Sequence, residues 1–547
     1  MNKLKIYFFN IMLYTLPLFA WADQYPINKS IDIKHYSFQI NLSDSSNEII
    51  GHTQIKILFK EAGVNNFRLD FVNKSIEKKD KGMVIDAIQL GNQVLSYTHQ
   101  NDELIIQLPN PSSMGSTLEF SIKYHGVPLD GLRIGATKFG DRSFFNESWP
   151  NRARHWLPTI DHPYDKATSE FIVTAPAHYK VVSNGLLLEE SDLGNNNKLT
   201  HWKQSIPVSS WLFVLGVADF AVQYVDDFEG KSIQTWVYSK NREAGFNDFK
   251  EPTKKVLAFY SQYAGPYAYE KLANIQSASV SGGMETSSAI FYAENLVNGK
   301  RDERTTNVVI HEIAHQWFGN AVTESTWDDA WLSEGFATFF TLRFIENEYG
   351  KEEYNKRIIK SKKAVLDMSV KMPNFSIVAP RTAEKDPVTT GLTYQKGAWI
   401  LHMLRDKIGE QNFKNGIQSY YKKFYNANAT TDDFRIEMEK ASGIDLKIFF
   451  KQWLYQPVNP SINALWSYDA NNHKINISLT QTQLTDFNFD IPIEIGYNTN
   501  DSKTPLLLKM NLNKKQLSQS FNVKGIPENI IVDPRNVLLS SNTITNK

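Results

Sequence analysis

The stretch Val308–Asn320, VVIHEIAHQWFGN, constrains this chain more than any other. Val308, Val309, Ile310 and Ile313 make it apolar enough for a buried helix, and Gly319-Asn320 offers a helix C-terminus. Within it His311, Glu312 and His315 form the pattern H-E-x-x-H. Residues four apart share a helix face, so both imidazoles point the same way. That suits two ligands of one Zn²⁺, with Glu312 beside the water that completes the site. With 12 His in the chain, chance produces such a match in about one sequence in a hundred. Burying two His and a Glu on an apolar helix without a task would be costly.

A catalytic zinc needs a third protein ligand and an open position. Metzincins place a His six residues after the second motif His, and here that position is Ala321. The acids downstream are Glu324, Asp328, Asp329 and Glu334. The first three stand in a polar connection, where solvated carboxylates are expected. Glu334 lies early in AWLSEGFATFFTLRFIENEYG, which reads as a second apolar helix. A carboxylate buried there needs a partner, and a metal supplies one. Glu334 is therefore favoured, in an arrangement that resembles the His₂Glu site of thermolysin-type enzymes.

The N-terminus, MNKLKIYFFNIMLYTLPLFAWADQYP, places Lys3 and Lys5 before an apolar run from Ile6 to about Phe19. Ala20-Trp21-Ala22 fits a small-x-small cleavage site. The run is short and broken by Asn10 and Pro17, so a signal peptide over 1–22 is expected rather than a membrane anchor. The chain has no Cys, hence no disulfide, lipoprotein attachment site or thiol nucleophile. An exported protein of this kind fits a bacterial periplasm or the medium. Formal charge is zero, 59 basic against 59 acidic residues. It becomes 57 − 59 = −2 once Lys3 and Lys5 are removed, which gives no support for nucleic acid or an anionic membrane as partner.

Hydrophobic periodicity divides the remainder. Over 23–239 the period is two, as in Tyr36, Phe38, Ile40, Leu42 and, after a break at Gly51, Ile55, Ile57, Phe59. This predicts an N-terminal antiparallel β domain. Over 240–457 helices dominate, and the charged run KEEYNKRIIKSKKAVLDM reads as a solvated helix face. Over 458–547 alternation returns, and NIIVDPRNVLL reads as a final strand and turn. The fold class expected is multidomain α+β.

HEIAHQWFGN, then TWDDAWLSEGFATFF with 18 residues between His315 and Glu334, resembles the M1 family of zinc aminopeptidases, the gluzincins. That resemblance implies a thermolysin-like, mainly α catalytic domain and a small C-terminal β-sandwich. It also implies one zinc per chain on His311, His315 and Glu334, with Glu312 as general base. Three further segments fit it. Gly282-Gly283-Met284-Glu285 matches the family's exopeptidase motif, in which Glu285 would face the substrate's α-ammonium. Thr286 replaces the usual Asn there. In NESWPNRARHWLPTIDHP, Glu147 takes the position that holds the free amine, and Trp149 replaces a common acid. In GLTYQKGAWILHMLR, Tyr394 is the phenol that would contact the developing oxyanion. Thr338, four residues after Glu334, is a guess for a partner of the ligands. The expected reaction is release of the N-terminal amino acid from peptides with a free amine. A thermolysin-like endopeptidase and an epoxide hydrolase side activity are the alternatives.

Overall fold

The computed structural model describes residues 25–249, 251, 253–380, 387–499 and 502–546. The expected signal peptide lies outside them. Among the described residues no helix is long and apolar enough to cross a membrane.

The N-terminal region is β-rich, built on an eight-stranded sheet. Ile31–Asn41 and Ile49–Phe59 pair antiparallel, with Tyr36 opposite Ile55 and Phe38 opposite Thr53. The alternation read from the sequence places Ile33, Phe38, Ile40, Ile55 and Ile57 in the core. Two details differ from expectation. The sheet is mixed, because Ile31–Asn41 pairs parallel with Ala167–Pro176. Gly51 is no break but a mid-strand residue. A Cβ there would lie 2.1 Å from the Tyr124 ring, so the missing side chain seats that aromatic. Tyr124 in turn donates its hydroxyl to Trp156 O at 3.0 Å.

A five-stranded sheet comes next, in the order Phe220–Phe228, Lys231–Tyr238, Lys271–Ser277, Ala289–Ala293, Gly283–Met284. Its first two strands precede residue 240, so this sheet runs across the 239/240 boundary expected from periodicity. Helices α1 (Arg242–Phe249) and α2 (Thr253–Tyr263) lie between its strands in sequence. Then follow α3 (Glu303–His315), α4 (Trp331–Tyr349), α5 (Lys351–Lys371), α6 (Gly391–Ile408), α7 (Glu410–Lys423), α8 (Thr431–Ser442) and α9 (Lys447–Leu454). α4 is apolar almost all round and correspondingly buried, the expected fate of a helix without a polar face.

The C-terminal region forms a four-stranded and a three-stranded sheet. The segment expected to close the chain is not its last strand. Pro527–Val532 ends in a turn at Asp533, whose carboxylate accepts from Val537 N and Leu538 N. Ser541–Asn546 then adds a further strand, parallel to Ser461–Asp469.

Candidate metal centre

α3 starts at Asp302, whose side chain accepts from Thr305 N at 2.8 Å. It ends at His315 itself, and Gly319 belongs to the turn that follows, at φ +114°. A Cβ on Gly319 would lie 2.3 Å from Ser333 Oγ and 3.1 Å from His315 Nδ1, so only glycine leaves room for that ring. His311 Nε2 and His315 Nε2 are 3.1 Å apart. Glu334 Oε2, on the first turn of α4, lies 3.4 Å from the former and 3.2 Å from the latter. Ligand atoms at the corners of a tetrahedron with bonds of ~2.0–2.1 Å stand about 3.3 Å apart, so this triangle fits a zinc ion. Glu334 Oε2 is buried with no hydrogen-bond donor among the described residues, a cost that a cation would offset. Two imidazoles and one carboxylate are also the donor set zinc prefers.

Charge points the same way. Burial alone would raise the Glu334 pKa, but the two imidazoles reverse that and hold it low. Burial would lower that of His315, and Glu285 and Glu334 reverse it and raise it. Burial pushes Glu285 upward, with Glu334 adding to it against His315, and burial, then the charge of Glu285, pushes Glu312 upward. Three carboxylates converging on two imidazoles form a cluster that needs positive charge. Glu285, Glu312 and His315 make a second set of donor atoms within 4.8 Å of one another, sharing His315 with the first.

The orientation of His315 is fixed from behind. Its Nδ1 lies 3.1 Å from Phe318 O and 3.0 Å from Ser333 Oγ. A proton on Nδ1 donated to that carbonyl leaves the Nε2 lone pair aimed at the triangle. Thr338 has no such part. Its hydroxyl donates to Glu334 O at 2.8 Å, the local i−4 bond that a helical Thr favours. Glu324, Asp328 and Asp329, expected to be solvated, are buried, and none belongs to the triangle. Glu324 sits on the strand Val322–Glu324, paired with Ala427–Ala429, and burial raises its pKa to about 8. The segment is polar in composition but packed against Ala427–Ala429 and α4, which composition does not reveal.

The exopeptidase-type segment forms the edge strand next to α3. Gly283 is required there: a Cβ would lie 2.1 Å from Glu312 Oε1. Gly282 is not, since its Cβ would meet nothing within 4 Å. Met284 is buried in the core. Glu285 is buried too, with Oε1 3.8 Å from His315 Nδ1. Its carbonyl accepts from Gln316 Nε2 at 2.8 Å and Asn320 Nδ2 at 2.6 Å, so the turn that follows α3 holds this strand in place. Gln316 was not singled out from sequence, and Asn320 only as part of a helix C-terminus, although both are polar residues inside an apolar motif. Thr286 turns away and donates to Ala289 O.

Tyr394 lies on the first turn of α6, whose N-terminus is closed by a Thr390/Thr393 capping box. Its hydroxyl donates to Glu334 Oε1 at 2.6 Å, and its ring stacks on His311 with centroids 6.0 Å apart. Burial and Glu334 push its pKa up, which keeps the phenol a donor. α6 comes this close because Gly335 and Gly397 meet where α4 and α6 cross. A Cβ on Gly397 would lie 2.8 Å from Gly335 Cα.

Glu147 reaches the neighbourhood, close enough for its charge to raise the pKa of Glu285. Its carboxylate is not free, however, because Arg152 donates to Oε1. The Arg152 Nε also donates to Trp149 O at 2.6 Å. Trp149 packs edge-on against Trp211 and Trp327.

Residues 249–453 match the Peptidase family M1 domain, and residues 32–212 match the Peptidase M1 N-terminal domain. Glutamyl aminopeptidase of Sus scrofa is 32% identical over 58% of this chain and 35% of its own length. Glutamyl aminopeptidase of Homo sapiens is 31% identical over 64% of this chain and 38% of its own. Probable aminopeptidase 1 of Saccharolobus solfataricus is 28% identical over 90% of this chain and 62% of its own. The chain thus spans well under half the length of those mammalian relatives. The crystal structure of an M1 zinc metallopeptidase from Deinococcus radiodurans superposes with a TM-score of 0.68 at 24% identity, covering 79% of this chain and 96% of that one, and shows a shared fold. With both matched regions drawn from one family, this chain belongs to peptidase family M1.

Proposed function

We propose that the protein is a zinc-dependent aminopeptidase that removes the first residue of peptides with a free amine. One observation carries the reading: a buried carboxylate, Glu285, is held beside the donor triangle, on the same flank as Glu312. A zinc ion on His311, His315 and Glu334 would polarise a carbonyl and acidify water. Glu312, outside that triangle, would take the proton of the attacking water and pass it to the leaving amine. Tyr394 would donate to the oxygen on which charge develops, a contribution of about 3–4 kcal/mol for such donors. Glu285 complements an ammonium and not an internal amide, which would leave it buried and unpaired. Glu147, compensated by Arg152, would assist less directly.

The two C-terminal sheets are read as the small β-sandwich, supported by the cores Ile475, Ile477, Leu479 on one and Ile493, Ile495 on the other. Export to a periplasm or the medium is read from the N-terminal pattern and the lack of Cys.

The test is a matched pair of peptides, one with a free and one with an acetylated N-terminus, incubated with purified protein, with chelator, and with zinc restored. Cleavage of the free peptide alone, lost on chelation and regained with zinc, is expected. Equal cleavage of both would replace the aminopeptidase reading with an endopeptidase one.

A further inference from the structure

Glu285 and Glu312 lie on the His315 flank of the donor triangle. His311 and Tyr394, by contrast, line a cleft of about 870 Å³ between α3, α4, α5 and α6. A peptide with its amine at Glu285 and its first carbonyl at the triangle would extend its remaining residues toward this cleft. The far wall is α5, where Glu353, Lys356, Arg357 and Lys360 line the cleft at helical spacing, Lys356 and Lys360 at its solvent-exposed rim. The charged run is largely solvated, as read, and four of its residues border the cleft. Arg357 pins this wall to α3, with Nε 2.8 Å from Glu353, Nη2 2.9 Å from Glu303 and Nη1 3.1 Å from Asn307 Oδ1. Asn307 is one helical turn before His311. Ser361 pins it to α6, donating to Gln395 Oε1 at 2.7 Å, next to Tyr394. Between these anchors stands Lys360, whose ammonium has no hydrogen bond or ion pair among the described residues. Lys356 has only Glu353, at 3.6 Å. Three cations face two acids, and both acids are engaged by Arg357.

We propose that this stripe selects peptides carrying a carboxylate on the side that leaves, either an acidic residue after the cleaved bond or the C-terminal carboxylate of a short peptide. The inference rests on, and deepens, the aminopeptidase reading. Two partly solvated contacts of this kind supply a preference of about three- to tenfold, weaker at high salt.

The test uses peptides that share the best-cleaved first residue. They differ as Glu or Gln at the third position, and as free acid or amide at the end. For each protein the acid-to-neutral ratio of kcat/KM is compared, so that general losses cancel. The unaltered protein should favour the anionic peptides, chiefly through KM. Lys356→Glu/Lys360→Glu should abolish or invert the ratio. Lys363→Glu, a single charge reversal at an α5 residue that does not line the cleft, should leave it alone. Equal ratios for the unaltered protein, or the same ratio in the double variant as in Lys363→Glu, would overturn the proposal. Equilibrium binding of the same peptides, fluorescently labelled, to the Glu312→Gln protein gives a ratio without turnover. If no peptide is cleaved, the aminopeptidase reading fails and that binding ratio alone decides the role of the stripe.

Discussion

Ser333 shows what a single oxygen behind a ligand can do. Its hydroxyl and Phe318 O share His315 Nδ1, and Gly319 clears the space in which they meet. Ser333→Ala removes one of the two restraints and keeps the other. We expect zinc affinity to fall about tenfold, the lower end of the range for such partners. Competition with a chromogenic chelator measures it, and an unchanged affinity would mean that Phe318 O orients the ring unaided. At this scale the sequence was legible where fixed helical spacing decides which side chains meet: His311, Glu312, His315 and, from its buried context, Glu334. It was illegible where contacts cross between elements. Ser333 could not be told from Thr338, since both flank Glu334 and only the turn at Gly319 decides which one meets the imidazole. For Glu147 the motif was readable, but its pairing with Arg152 five residues on was not.

The meeting of α4 and α6 is the element-scale counterpart. E-G-F-A and Y-x-K-G each read as local motifs, yet their glycines are there for one another. The contact that brings Tyr394 to Glu334 is backbone against backbone at Gly335 and Gly397. In an isolated helix Ala would be favoured over Gly by about 1 kcal/mol. At this crossing a methyl group must push the helices apart, a cost of about 1–3 kcal/mol. Gly397→Ala should therefore lower the thermal midpoint and reduce kcat more than it raises KM, because Tyr394 is one turn away. Gly335→Ala should do the same, and the double variant should cost less than the sum, since both methyl groups widen one gap. A stabilised Gly397→Ala with full kcat would show that the crossing has slack. Strands follow the same rule. Alternation placed their core faces correctly, whereas the parallel pairing of Ile31–Asn41 with Ala167–Pro176 joins segments far apart in sequence, which no local period encodes.

Across the whole molecule the β-then-α-then-β order was legible from the change of period, but what binds the regions was not. Lys166, from the N-terminal region, donates to Asn320 O and Ala321 O in the turn that follows α3. His402 does the equivalent at the other end. From α6 its Nδ1 lies 2.8 Å from the Tyr354 hydroxyl of α5, and its Nε2 lies 3.0 Å from Asn536 O in the C-terminal region. Tyr354 donating and Asn536 O accepting require the neutral ring. Burial lowers the pKa of His402 to about 4, with Arg405 adding to the effect against the Asn536 bond. An unfolded His binds its proton near pH 6.5, so between about pH 6.5 and 4 the unfolded chain holds more protons than the folded one. Stability from this residue is therefore complete above about pH 6.5 and falls as pH drops toward 4, by about 3 kcal/mol in all. His155 is depressed to about 4 by burial as well and adds in the same direction. His402→Gln keeps a hydrogen-bonding side chain that does not titrate. It should be less stable than the natural protein at pH 8, yet lose less on acidification, so the two urea midpoints converge toward pH 4. Parallel midpoint curves across that range would mean that protonation of His402 is accommodated without loosening the contact between α6 and the C-terminal region.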